Sequence, residues 1–242
     1  MPSVRRPAPL AVAPPFLLRW RLSRGLMPWL GQPPQTHGAE LSAAQRAFLG
    51  RLARRTWAFF ETWVRAEDHW LPPDNIQEHP VLVVARRTSP TNIGLSLLAN
   101  LSAWDFGYLQ VGGLMERTRR TFATLEELPR HRGHFYNWYD TATLQPLPPH
   151  YISTVDSGNL AGHLLTLRQG LLALADAPLL APHTFDGLAD TLGLLEELRE
   201  QHAAAPRGDG DHALASALAA FRGTLKSALA KPPTTAGAAA RV

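Results

Sequence analysis

Between Arg130 and His163 the chain reads RHRGHFYNWYDTATLQPLPPHYISTVDSGNLAGH, and nowhere else do aromatics, amides, carboxylates, hydroxyls and glycines crowd so closely. Tyr136, Trp138 and Tyr139 offer flat apolar faces with polar edges, and Asn137, Asp140, Asp156, Ser157 and Asn159 can each hydrogen-bond a hydroxyl-rich ligand. A sugar fits that mixture: its ring stacks on an aromatic face while its hydroxyls pair with amides and carboxylates. An earlier segment adds Asp74, Asn75, Arg87 and Asn92 as polar candidates for the same ligand. The purely structural alternative is a hairpin whose aromatics pack on the neighbouring helix and whose Asp and Ser cap it.

Breaking or transferring a glycosidic bond usually takes two carboxyl groups, one to protonate the leaving oxygen and one to act as nucleophile or base. Asp74, Glu78, Asp140 and Asp156 lie in the right loops, but Asp156 falls where a helix cap belongs and Asp140 where a hairpin turns. No catalytic pair assembles from the sequence. His131, His134, His150 and His163 form no HExxH or compact ligand set, so no metal is expected. Phosphate loops, a dinucleotide fingerprint and a nucleophilic-serine elbow are missing, and no cofactor is expected. With no cysteine, disulfides and thiolate chemistry are excluded. The net charge of +4 comes from scattered arginines without a recognition-module pattern, which argues against nucleic acid as a partner.

The elements that must hold these residues are helices. The first 40 residues read as a flexible basic leader whose apolar run is cut by Arg19, Arg21 and Arg24, so it does not span a membrane, though a short Trp-bearing basic segment can lie on one. Ser42 and Gln45 predict a capping box, followed by an amphipathic helix to about Ala66 with Phe48, Leu49, Leu52, Thr56, Phe59, Phe60 and Trp63 on its apolar face. Val81 to Ala85 reads as a short buried extended segment. Ser89 caps a second helix with Pro90 at its first position and Gly107 past its end. A third helix is predicted over Leu114 to Leu128, with Met115 and Phe122 among its inward residues. Phe135 to Tyr139 and Leu144 to Leu147 predict a small hairpin, and a fourth helix starts near Ser157. Two further periodic segments follow, near Pro182 to Gln201 and Asp211 to Ala230, before a low-complexity tail.

TNIGLSLL from Thr91 and GNLAGHLL from Gly158 align Asn92 with Asn159, 67 residues on, at equivalent points of two helix-loop-helix units. Repeated helical hairpins predict an all-α fold, a partial α/α toroid with a small β-hairpin insertion, each inner helix turning its first residues to a common mouth. Six such hairpins need about 400 residues, so this chain has room for roughly half a ring. The division expected is a leader over 1–40, the partial toroid over 41–205, and a terminal helix with a disordered tail over 206–242.

Four blocks, WLPPDN at Trp70, RTSPTNIGL at Arg87, GHFYNWYDT at Gly133 and TVDSGNLAGHL at Thr154, closely resemble the glucoamylase-like middle domain of cyclic beta-1,2-glucan synthases. The resemblance runs in one order from about Ala43 to Leu195. As the family is known, it implies a large inner-membrane protein joining a glucosyltransferase, this helical toroid and a phosphorylase-like module. The middle domain is implicated in the transglycosylation that closes the glucan ring. It further implies a beta-glucan or oligosaccharide as ligand and a catalytic acid and nucleophile from helices downstream of this chain. A second chain completing the toroid is the partner this suggests; a catalytically inactive carbohydrate-binding remnant, or a poorly folded product of a split reading frame, is the competing reading. The chain departs from the family in its truncation, its lack of a polytopic region, and in Arg86 and His79, where histidine and an acidic residue are expected.

Overall fold

The computed structural model describes residues 13–30, 40–178, 181–201 and 209–231, so Arg5, Arg6 and the low-complexity tail beyond Lys231 lie outside the described residues. The chain divides into two compact units, Met1–Ser42 and Ala43–Val242. In the first, Ala13–Leu30 forms helix α1 where the sequence predicts an irregular leader. Pro14 and Pro15 sit in its first turn, where a missing amide costs no helical hydrogen bond.

The second unit is all-α with small β pieces, as expected. Helix α2 spans Ala43–Trp63, α3 Pro90–Asp105, α4 Val111–Glu127, α5 Thr154–Ala173, α6 His183–Gln201 and α7 Asp209–Ala230. The long α3 and α5 lie against each other along their length, α4 packs on α3, and α2 bridges α3 and α6, with α7 against α6. The first turns of α3 and α5 meet, and so do their later turns, so the two run parallel: a Cβ on Gly94 would sit 2.3 Å from His163 Nδ1, and one on Gly170 2.3 Å from a Leu101 methyl. Parallel inner helices with outer helices on their flanks are the arrangement expected of an arc of an α/α toroid.

The core gathers Leu71, Ile93, Leu97, Leu125, Leu128, Tyr139 and Leu167, from both inner helices, α4 and two loops. A smaller cluster of Phe185, Leu192, Leu225 and Ala228 joins α6 to α7. Arg117 fastens α4 to its neighbours: its guanidinium donates to the carbonyls of Phe60 and Val64 at the end of α2 and to Asn100 Oδ1 on α3, while lying over Trp57. Val64 O is an acceptor of the kind a helix end leaves open, whereas Phe60 O also accepts from Val64 N.

Ser89 caps α3, its Oγ accepting from Asn92 N, and Gly107 follows the helix with φ of +75°, both as read from the sequence. Other expectations need correction. Helix α4 buries Leu114, Thr118, Thr121, Thr124 and Leu125 but leaves Met115 and Phe122 largely exposed, because threonines rather than large apolar residues meet the loop beneath it. Thr121 and Thr124 donate to the Trp70 and His69 carbonyls there. On α2 the buried positions are Gly50 and Trp57, and Phe48, Leu49 and Leu52 are exposed. Val83–Val84 (β2) does extend and pairs with Ile76–Gln77 (β1), yet Val81, Leu82 and Val83 are more than half exposed. Among the described residues nothing packs over that side of the ribbon.

Candidate functional site

The mouth is built where the first turns of α3 and α5 emerge. Arg87–Thr88 (β3) leads into α3 and pairs antiparallel with Tyr139–Asp140 (β6), Arg87 opposite Asp140 and Thr88 opposite Tyr139. Arg130–His131 (β4) and His134–Phe135 (β5) form a separate hairpin around Arg132 and Gly133. The predicted hairpin between Phe135 and Leu147 forms, with Leu147 N donating to Trp138 O, Asp140 N to Gln145 O and Tyr139 bridged to Pro146, and its first arm also pairs with β3. This pairing brings the aromatic block and the segment before α3 into one surface.

Helix α5 begins at Thr154 rather than near Ser157. Its cap is Ser153, whose Oγ accepts from Asp156 N at 3.1 Å. Asp156 is thus the third residue of the helix and not its cap, which frees its carboxylate to face α3. Thr91 Oγ1 donates to Asp156 Oδ1 at 2.6 Å and accepts from Asn159 Nδ2 at 3.1 Å. Asn137, buried between these loops, is oriented by its neighbours: its amide nitrogen donates to Asp156 Oδ2 at 2.9 Å, and its oxygen accepts from Tyr151 Oη and Trp138 Nε1, both at 2.6 Å. Burial pushes the Asp156 carboxyl up, but hydrogen bonds from Ser153, Thr91 and Ser89 together outweigh it and hold the group below the ordinary carboxylate range.

A second cluster abuts the first through Trp138 and Asn92. Arg87 donates through Nε and Nη2 to Asp74 Oδ2 at 3.1 and 2.9 Å, Asn75 Nδ2 donates to the same oxygen, and Asn92 Nδ2 reaches Asp74 Oδ1 at 3.3 Å. The Arg87 guanidinium lies over the Trp138 ring, 4.8 Å from its centroid. Indole, guanidinium, amides and carboxylates thus form one connected polar and aromatic wall, with Arg87 half exposed and Trp138 partly so.

Of the residues singled out from the sequence, Asp74, Asn75, Arg87, Asn92, Asn137, Trp138, Asp156 and Asn159 belong to this wall. Three do not. Tyr139 is fully buried, its hydroxyl donating to Pro129 O and accepting from Tyr136 N, so it presents no face for stacking. Asp140 turns inward on its own loop, Oδ1 accepting from Ala142 N, Thr143 N and Thr143 Oγ1. Burial raises the Asp140 carboxyl, and these bonds with the Arg86 charge lower it further than that. Ser157 donates to Ser153 O along its own helix. Asn92 is the third residue of α3 and Asn159 the sixth of α5, so the alignment of the two is displaced by nearly a turn, and Asn159 reaches the mouth only by bonding to Thr91.

Sequence reasoning missed Thr91 and Tyr151, which join the two loops, and also the staple beneath them. Asp68, almost fully buried, accepts from Arg86 Nη1 and Thr141 Oγ1, and His69 Nδ1 lies 2.8 Å from Thr141 O. Nothing in the sequence singles out Asp68, which in the fold precedes His69 and Trp70, both at positive φ. Among the described residues no group of three or more metal-ligating side chains gathers, and no helix is long and apolar enough to cross a membrane.

No protein-family model matches the chain. Among solved structures, a glucoamylase-like protein from Bacteroides fragilis NCTC 9343 matches 55% of this chain and 32% of its own length, at 20% identity and a TM-score of 0.43. Cyclic beta-(1,2)-glucan synthase NdvB of Rhizobium meliloti (strain 1021) is 42% identical over 188 residues, 76% of this chain. The chain spans only 6% of that protein's length. Over three quarters of its residues, then, this chain is a relative of one segment of the cyclic beta-1,2-glucan synthases.

Proposed function

We propose that the second unit is the sugar-holding wall of a glucan-acting domain whose ancestral reaction is the transglycosylation of beta-1,2-glucan. The observation that carries this reading is the connected set Asp74, Arg87, Asn92, Asn137, Trp138, Asp156 and Asn159 around a partly exposed indole. Equatorial hydroxyls pair with such amides and carboxylates, and the glucosyl face stacks on Trp138. The same bonds argue against chemistry by this chain alone. A general acid must hold a proton at working pH, whereas Asp140 and Asp156 are held low, and both oxygens of Asp74 are taken by Arg87, Asn75 and Asn92. The wall binds and orients; the carboxylate pair is contributed from elsewhere.

Calorimetry with purified beta-1,2-glucan tests this. Trp138→Ala should weaken binding by about 1–3 kcal/mol, while Arg119→Ala, on the exposed side of α4 and paired with Glu116, should leave it unchanged. Glucan turnover by the isolated chain at a rate abolished by Asp156→Asn or Asp140→Asn would overturn the non-catalytic assignment. A Trp138→Ala variant that loses thermal stability but binds unchanged when folded would make the indole structural and remove the site.

A second reading, a half-domain completed by another chain, is favoured by α5, where Val155, Leu165 and Leu172 are exposed by more than half. A monodisperse monomer by light scattering, binding no apolar dye, would count against it.

A further inference from the structure

We infer that α1 is an interfacial helix that lies on the surface of a bilayer carrying anionic lipid headgroups. Leu17, Leu18, Trp20, Leu22, Leu26 and Met27 are each exposed by 51–73%. Eighteen residues carrying so much exposed apolar surface are unfavourable in water unless something covers them. The charge on the same helix selects the cover. Its only charged residues are Arg19, Arg21 and Arg24, and the sequence holds no Asp or Glu before Glu40. An apolar partner surface would leave three guanidinium groups to be desolvated without counter-charge, whereas a headgroup layer offers hydrocarbon and anions together at the depth each needs.

Leu18, Leu22 and Leu26 recur every fourth residue and form one stripe that positions 19 and 21 flank, while positions 17, 20 and 27 fall on the other side of the helix. Arg19 and Arg21 are exposed, and arginine stems that run along the apolar boundary place their heads among phosphates. Crossing the bilayer is not open to this helix: three arginines within 18 residues break the apolar span it would need.

The test uses the full chain. Because it contains no cysteine, Gly25→Cys creates a unique labelling site, at a position where an added Cβ meets nothing within 4 Å. A nitroxide there should become immobilised and shielded from aqueous relaxants on vesicles of phosphatidylcholine with one quarter phosphatidylglycerol, and stay mobile with phosphatidylcholine alone. Binding should fall steeply as salt rises, a readout that needs no variant. Replacing Arg19, Arg21 and Arg24 together with Gln should lower partitioning about 100-fold, and Leu22→Asp with Leu26→Asp should lower it at least as far. Equal partitioning onto neutral and anionic vesicles, or unchanged binding by the arginine variant, would overturn the proposal. So would immobilisation without vesicles: independent of protein concentration it means that α1 packs on its own chain, and rising with concentration it means a second copy covers it.

Discussion

Asp156 at the mouth and Asp190 on α6 are both part-buried carboxylates inside helices, yet their surroundings move them in opposite directions. Asp156 receives hydrogen bonds from Thr91, Ser153 and Ser89, and the Asn137 amide completes its second oxygen; these outweigh burial and keep it ionised. Asp190 sits beyond the other end of α3, where the single Tyr108 hydroxyl proton is shared between it, at 2.9 Å, and Gly50 O, at 2.8 Å. There burial dominates and pushes the carboxyl up, against the Tyr108 bond, with Asp186 one turn earlier adding to the rise. The same burial raises the Tyr108 hydroxyl. Helix α3, at 16 residues about 24 Å long, thus separates an end rich in donors from an end packed for contact. Donors gathered around one charge are what our proposed reading would have a hydroxyl-rich ligand meet; a lone phenol against a compressed carboxylate is a joint between helices. What separates the two ends is donor count and not burial.

The joint should be the more brittle end, and the largest expected effect tests it. Gly107 has φ of +75°, and a Cβ there would meet His183 O at 2.0 Å, a backbone atom that cannot step aside. Gly107→Ala should cost roughly 3 kcal/mol or more, combining left-handed strain with overpacking. Near the mouth, Gly133 has a similar φ of +86° but open space around it, so Gly133→Ala should cost only about 1 kcal/mol. Urea titration of both variants decides: equal losses would mean that the α3–α6 joint is not the tighter of the two.

At the mouth, Asp156→Asn should cost about 2 kcal/mol at neutral pH, because charge-assisted bonds from Thr91 and Asn137 are lost or turned into donor facing donor. The pH dependence gives the sign. The folded carboxyl lies below the 3.8 of a free one, so its stabilisation is fully present above that value and disappears as pH falls through the folded pKa. Acid unfolding of the protein should therefore carry a component that Asp156→Asn abolishes. A variant with the same acid profile as the parent would show that Asp156 is not the group the mouth is organised to hold.

How much of this was legible in the sequence follows from the range of the interactions involved. Ser89, Pro90 and Gly107 bound α3 because capping and turn preferences act within four residues. The parallel pairing of α3 with α5 followed from the similarity of TNIGLSLL and GNLAGHLL, although the caps show that alignment displaced. The phase of β6 was not legible: Trp138 faces the wall and Tyr139 the core because β6 pairs with β3, some fifty residues earlier, and adjacent strand residues take opposite faces. Thr91 and Tyr151 escaped for the same reason, since a threonine in a first helical turn and a tyrosine in a proline-rich loop gain their roles only when distant loops meet. Asp156 looked like a cap because the run STVDS from Ser153 offers several capping residues, and only the backbone shows that Ser153 took the position.

Arg87 offers a smaller effect that sharpens the contrast between binding and stability. Its ion pair with Asp74 is half exposed, so solvent screens it, and Arg87→Ala should cost under about 1 kcal/mol of stability. Affinity for glucan should respond more, because the guanidinium orients both Asp74 and the Trp138 ring; a loss of roughly fivefold is expected, corresponding to about 1 kcal/mol. Calorimetry paired with thermal melting separates the two, and a variant that loses stability without losing affinity would place Arg87 with the joint rather than with the wall.

The smallest change expected is the most telling about sign. At Asp190 the carboxyl is raised, so folding favours its protonated form: the stabilisation is present below the pKa of the unfolded chain and is lost as pH climbs through the folded value. Wherever the native state bears the ionised form, its surroundings oppose that charge. Asp190→Asn removes that charge while an amide oxygen can still accept from Tyr108, at the same distance from Gly50. The variant should be as stable as the parent or more so at pH 7, by less than about 1 kcal/mol, and its stability should change less between pH 4 and pH 7. Asp156→Asn moves the opposite way at neutral pH, so the pair forms an internal control: melting both variants side by side across that range should give changes of opposite sign, and a destabilisation of about 2 kcal/mol by Asp190→Asn would mean that Arg51, whose charge opposes the rise, outweighs the burial and that the two ends of α3 hold their charges by the same means.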